Sequence, residues 1–271
     1  MFNKKTDHPR GSKKLIGAWT LYDWANSVYS LVISSAVFPI YYSQYVFSQT
    51  NSIILFNAEI NKDTLISLVS AFSFLLIAFL SPLLSGVADY IGNKKIFMKF
   101  FVYLGSLSCI GLYWFELETI EISLIFYTLT LIGFWGSLVY YNSYLRDITY
   151  PNQTNIVSAK GYTMGYIGSV LLLLINLIMI NFYESFGFES EIIAMKSSFA
   201  IVGLWWLGFS QYSFYHLPKG NRGVKIPKNI IWNGFKELKN VYKIIRSSKR
   251  FTRFLIAFFV FSFSLQTVLY I

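Results

Sequence analysis

Gly86-Val87-Ala88-Asp89-Tyr90-Ile91-Gly92-Asn93-Lys94-Lys95 interrupts a long apolar sequence with two glycines, one acid and a pair of lysines. Upstream, Thr64 to Ala88 carries no charge, and downstream Ile96 to Phe115 is apolar but for Lys99. A helix needs about 20 apolar residues to cross a bilayer, so the stretch reads as a turn between two spans. Two glycines permit a tight turn and close helix contact. The acid is placed to accept hydrogen bonds from a neighbouring helix N-terminus or to pair with a base. The lysines are expected to face anionic headgroups. A nucleotide-binding loop is excluded, because five residues rather than four separate Gly86 from Gly92 and no Lys-Ser/Thr pair follows.

The same apolar character extends outward over the chain. Of its 271 residues 55% are hydrophobic and 13% charged, against about 25% charged in soluble domains. The mean hydropathy of +0.49 agrees. Disorder and a soluble core are both excluded, and the pattern predicts an all-α polytopic membrane protein. Spans are expected at Trp19–Tyr45, Thr64–Ala88, Ile96–Phe115, Ile122–Leu145, Gly161–Phe182 and Ser197–His216, with a seventh starting at Phe254. This divides the chain into a tail (1–18), a six-helix half (19–216), a basic linker (217–253) and the start of a seventh helix (254–271). In the linker, Ile231, Phe235, Leu238, Tyr242 and Ile245 recur at helical spacing with lysines on other faces, as in an amphipathic helix on a membrane surface.

The positions of the charges set the orientation. On the N-terminal side of the spans lie 21 of the 23 basic residues, the exceptions being Lys62 and Lys196. The positive-inside rule therefore predicts a cytoplasmic N-terminus. The net charge of +10 follows from these loops, and no nucleic-acid partner is expected. Trp19, Trp24, Tyr41, Tyr42, Tyr45, Tyr140, Tyr141 and Tyr144 lie near span ends, as an interfacial aromatic belt requires. Cys109 is the only cysteine, so no intramolecular disulfide or cysteine metal site forms, and a small buried hydrophobe is expected.

The turn resembles the signature loop between helices 2 and 3 of the major facilitator superfamily, G-x-x-x-D-x-x-G-x-[KR]-[KR]. Tyr22-Asp23-Trp24-Ala25-Asn26-Ser27, Phe38-Pro39-Ile40-Tyr41, Tyr141-Asn142-Ser143-Tyr144-Leu145 and Ser158 through Gly168 are similar to the vacuole effluxer-like branch of that superfamily. That branch comprises autophagy-related fungal vacuolar amino-acid effluxers and their bacterial relatives. The resemblance implies a twelve-helix transporter exporting small solutes, amino acids in the fungal members, with this chain its N-terminal half. Two positions depart from the pattern. Arg146 stands where relatives often have proline, and Phe263-Ser264-Leu265-Gln266-Thr267 lacks the Asp-Gly that relatives commonly place before this pair.

Candidate functional residues follow. An acid inside a span marks a functional site by default, and Asp23 is the one acid clearly within the apolar blocks. Asn26 lies three residues on, hence on the same helix face, with Tyr22 and Ser27 nearby. The alternative for Asp23 is an interfacial pair with a base such as Arg146. Asn142, Asn176 and Gln266 are polar groups that either line an aqueous path or bond a neighbouring helix. Gly161, Gly165 and Gly168 share one side of span five and suit close packing. A cytoplasmic gating loop is expected from Gly86, Asp89, Gly92, Lys94, Lys95 and Arg146. A coupling proton, if carboxylate-borne, falls to Asp23. No cofactor, metal site or catalytic motif is expected; His8 and His216 lie outside the spans or at an edge. The expected location is a bacterial cytoplasmic membrane. The rival reading is a seven-helix sensor, one without a span-seven lysine for a retinal Schiff base.

Overall fold

The computed structural model describes residues 8–55, 57–219, 239, 242–243 and 245–270, without the side chains of 89–91, 263 and 266–270. Helix α1 (Lys13–Val28) starts at Ser12, whose Oγ accepts from the Leu15 amide and satisfies one of the free donors of the first turn. The helical run does not end at Val28. It continues as a π-helical stretch (Tyr29–Val37), a single α turn (Phe38–Ile40) and a second π-helical stretch (Tyr41–Val46). Pro39 supplies a physical reason. It has no amide hydrogen, and its ring presses on the carbonyl four residues back, that of Ser35. Wider turns give that carbonyl room, and the Ser35 hydroxyl donates to the Ser30 carbonyl at 3.1 Å.

A two-stranded antiparallel hairpin follows, β1 (Ser52–Leu55) against β2 (Ala58–Asn61), with Leu55 opposite Ala58. Asn57 in its turn has φ 62°, a left-handed conformation that asparagine tolerates. The remaining helices are α2 (Lys62–Ile91), α3 (Lys94–Gly111), α4 (Ile120–Ile148), α5 (Thr154–Asn181), α6 (Glu191–His216) and α7 (Lys249–Tyr270). Among the described residues, α2 to α6 are long and apolar enough to cross a membrane. The protein is all-α and polytopic. The first expected span departs from a plain α-helix through its π turns. The amphipathic linker helix lies outside the described residues except at 239, 242, 243 and 245.

Two close helix pairs organise the bundle. Helices α3 and α4 meet at Gly105 and Gly133, where a Cβ on Gly133 would collide with the Gly105 backbone. Helix α1 lies on α5 and α6. Small residues let helix backbones approach where lipid offers no hydrophobic driving force between them.

The aromatic residues near span ends do not form the expected lipid-facing belt. Trp19, Tyr41, Tyr42, Tyr140, Tyr141 and Tyr144 are buried. Three of their hydroxyls reach backbone carbonyls at helix ends and loops: Tyr41 donates to Phe115, Tyr42 to Lys62 at 2.7 Å, and Tyr144 to Pro218 at 3.1 Å. A hydroxyl that satisfies an unpaired carbonyl at a helix end is worth more there than at the headgroup level.

Replacing Gly133 by alanine drives a methyl into the Gly105 backbone, a strain of about 1–3 kcal/mol. Gly208, with nothing within 4 Å of its notional Cβ, is the control. Thermal unfolding in detergent is expected to show a lower midpoint for Gly133→Ala and an unchanged or slightly higher one for Gly208→Ala.

Candidate functional site

Helix α1 carries the polar face. Asp23 and Asn26 are 7% and 1% exposed, well inside the bundle. Three contacts fix the helix around them. The Trp19 indole donates to the Tyr141 carbonyl at 2.9 Å and stacks on the Tyr141 ring at 4.3 Å. The Ser213 hydroxyl donates to the Ala18 carbonyl at 2.7 Å, and the Trp205 indole to that of Trp24 at 3.3 Å. On the other side, Gly161, Gly165 and Gly168 admit Trp19, Ser27 and Trp24 against α5. A Cβ on Gly165 would lie 2.5 Å from Ser27 Oγ and 3.3 Å from Asp23 Cγ.

A cavity of about 510 Å³ opens between α1 with its first π stretch, α4 and α5. Asp23, Asn26 and Asn142 lie on its wall, with Ser27, Ser30 and Ser35 continuing the polar stripe along the π turns. Trp19, Trp135, Tyr141, Tyr162 and Tyr166 supply aromatic faces, and Leu265 of α7 is also on the wall. Asp23 accepts from the Ser27 hydroxyl on its own helix at 3.3 Å and is also engaged by the Tyr141 hydroxyl of α4, rather than by Arg146. Both amide atoms of Asn26 are buried without a protein partner.

Two of the expected path residues lie elsewhere. Tyr22 is fully buried and is not on the cavity wall, its ring 5.0 Å from that of Tyr141. Asn176 is buried in α5 and is not on the cavity wall. The Gln266 side chain is outside the described residues. Reading the sequence missed Ser30 and Ser35. Ser30, seven residues from Asp23, falls on the same α-helical face and was legible, whereas an α-helical wheel turns Ser35 away from it, and only the proline hinted at wider turns. Tyr162 and Tyr166, four apart beside the α5 glycines, were legible as one face.

The turn after α2 forms a second cluster. Gly92 has φ 67°, and the Asn93 amide donates to the Ala88 carbonyl at 3.2 Å, the bond that closes a helix through a left-handed glycine. Gly86 lies within α2, and the Asp89 side chain is outside the described residues. Lys94 Nζ pairs with Asp147 at 3.1 Å, at the C-terminal end of α4. Lys95 corrects the expectation of headgroup-facing lysines: it is 5% exposed and its ammonium donates to the Leu217 carbonyl at 2.6 Å. The negative end of α6 draws the cation inward. Arg146 is exposed, and its carbonyl and that of Thr149 accept from the Arg10 guanidinium at 2.9 and 2.8 Å. The N-terminal segment, the α2–α3 turn and the ends of α4 and α6 thus meet at one end of the bundle. At the other end Lys196 pairs with Glu116, and Lys62 Nζ donates to the Ser43 carbonyl.

Apolar helices long enough to cross a membrane, packed around an open polar cavity and tied together by charges at one end, define an integral membrane protein. The chain belongs to the family described as "Vacuole effluxer Atg22 like", whose model matches residues 11–152 and 146–271. It is 34% identical over 253 residues to YxiO, an uncharacterized MFS-type transporter of Bacillus subtilis (strain 168). That match covers 93% of this chain and 58% of the relative, so the chain spans little more than half the relative's length. No solved structure matches the chain.

Lys95 and Lys94 differ in what their loss leaves behind. Lys95→Met removes the partner of a buried carbonyl, a loss of about 1–3 kcal/mol, whereas Lys94→Met removes a partly solvated pair worth about 0–1 kcal/mol. Calorimetry of the detergent-solubilised variants is expected to show the larger drop in unfolding temperature for Lys95→Met.

Proposed function

We propose that the chain forms one half of a secondary active transporter that moves a small solute by alternating access, with amino-acid efflux as its direction and substrate. The observation that carries this reading is the cavity: about 510 Å³ of space within a membrane-spanning bundle, walled by the buried Asp23 carboxylate and by the Asn26 amide, which has no protein partner. Volumes of about 300–1,000 Å³ suit small-molecule sites, and polar groups at this depth mark solute or ion paths. The family's description as effluxers supports the direction, and its MFS-type relative supports the transport class. Neither supports the seven-helix sensor.

On this reading Asp23 and Asn26 hold the solute with Asn142 at the open side, and Asp23 carries the coupling proton. Gln266, Tyr22 and Asn176 complete the path. The N-terminus is cytoplasmic, and the membrane is that of a bacterial cell. Asp89, Gly86, Gly92, Lys94, Lys95 and Arg146 form a cytoplasmic latch whose Lys94–Asp147 pair holds one access state.

The test uses the full-length protein in vesicles preloaded with a panel of radiolabelled amino acids. Efflux of one or more, abolished by Asp23→Asn, is the expected result; no efflux of any panel member defeats the substrate assignment. Asp89→Asn is expected to shift the accessibility of introduced cysteines from one side of the membrane to the other. Unchanged accessibility would remove the latch.

A further inference from the structure

We propose that the cavity beside Asp23 recognises the cationic end of its solute, an ammonium group on a short apolar body, and offers a carboxylate no charged partner among the described residues. The proposal rests on the transporter reading above and names the chemistry its site selects. Among the described residues on the cavity wall Asp23 is the one carboxylic acid, and none is Lys, Arg or His. The rings of Trp19, Trp135, Tyr141, Tyr162 and Tyr166 surround the same space. Aromatic faces attract cations through their quadrupole, most strongly when both are shielded from water. A carboxylate adds a charge-assisted hydrogen bond.

Asn26 completes the arrangement. Its amide oxygen and nitrogen are both buried without a protein partner, on a wall that also carries Asp23 and Ser27. Leaving a buried amide unpaired costs about 1–3 kcal/mol, so the group is poised for a ligand or solvent partner. An ammonium with three donors can engage Asp23, the Asn26 oxygen and the Ser27 or Ser30 hydroxyl together. A solute carboxylate meets the opposite situation. It would stand near the Asp23 charge with neutral donors alone for compensation, and an uncompensated anion in a low-dielectric site is strongly disfavoured. In an amino acid, therefore, only the ammonium end has a charged partner on this wall. Removing the carboxylate should not weaken binding here.

The experiment compares three ligands of one shape, using the full-length protein in nanodiscs and its tryptophan fluorescence, since Trp19 and Trp135 are on the wall. Leucine is the zwitterion, isoamylamine its decarboxylated amine and 4-methylpentanoate its deaminated acid. Isoamylamine is expected to quench saturably with an affinity at least equal to that of leucine, and 4-methylpentanoate to bind about tenfold more weakly or not at all. Asp23→Asn is expected to weaken the amine about tenfold or more, while Glu116→Gln, at the distant end of the bundle, leaves it unchanged. The ranking of the three ligands on the unaltered protein stands even if a variant fails to fold. Leucine binding tenfold tighter than the amine, the acid binding as well as the amine, or no saturable amine binding would each overturn the proposal. The amine-first ranking without transport in vesicles would remove the transporter reading and keep the cation site. Leucine transport with the reverse ranking would do the opposite.

Discussion

The contact on which the rest of the structure depends is the close approach of α1 to α5. Three glycines on α5 leave the space that Trp19, Ser27 and Trp24 of α1 occupy. At Gly165 the spacing is tight enough that any side chain would strike Ser27 and crowd Asp23. A helix carrying a carboxylate and an amide has no place in hydrocarbon unless those groups face protein or water. The glycine face of α5 lets α1 turn its polar side toward the bundle while its backbone stays close enough to be held. The cavity is then the space left where α4 and α5 diverge around that polar side.

A second constraint acts at the helix ends. Within the bilayer a helix satisfies its own backbone, but its last four carbonyls need other donors. At the basic end of this bundle those donors are charged side chains from distant segments. Arg10 reaches the end of α4, Lys95 the end of α6, and Lys94 the carboxylate beside the last turn of α4. The arrangement explains why a cluster that reads as a positive-inside loop is also structural. The same cations that bias insertion close the ends of the helices they meet, and a segment that holds two helix ends at once is well placed to couple their movement.

Much of the bundle was legible because its signals are local. Apolar length gave α2 to α6, the glycine and lysine pattern gave the turn at Gly92, and the three-residue spacing of Asp23 and Asn26 gave their common face. Other features depend on partners far along the chain. The burial of Tyr41, Tyr42 and Tyr144 requires the loop carbonyls they bond, 20 to 74 residues away in sequence. Their composition near span ends suits an interfacial belt equally well, so position alone could not decide. The inward turn of Lys95 likewise depends on Leu217, 122 residues away. The hairpin between α1 and α2 was hidden by its shortness, four residues a strand.

A proline inside a long helical run has few ways to be accommodated, and here the backbone widens over Tyr29–Val37, just ahead of Pro39. The widening brings Ser35 onto the wall that already carries Asp23, Asn26 and Ser30, so the polar stripe runs farther along the helix than the sequence spacing suggests. Asn26 and Asn176 show what the wall is worth. Each buries both amide atoms without a protein partner, yet Asn26 faces the cavity and Asn176 does not. A buried amide at 1% exposure beside an open polar space can exchange a solvent molecule for a solute at little cost in hydrogen bonds, because the space supplies a partner in either case. Asp23 gains from the same exchange only when the solute is positively charged.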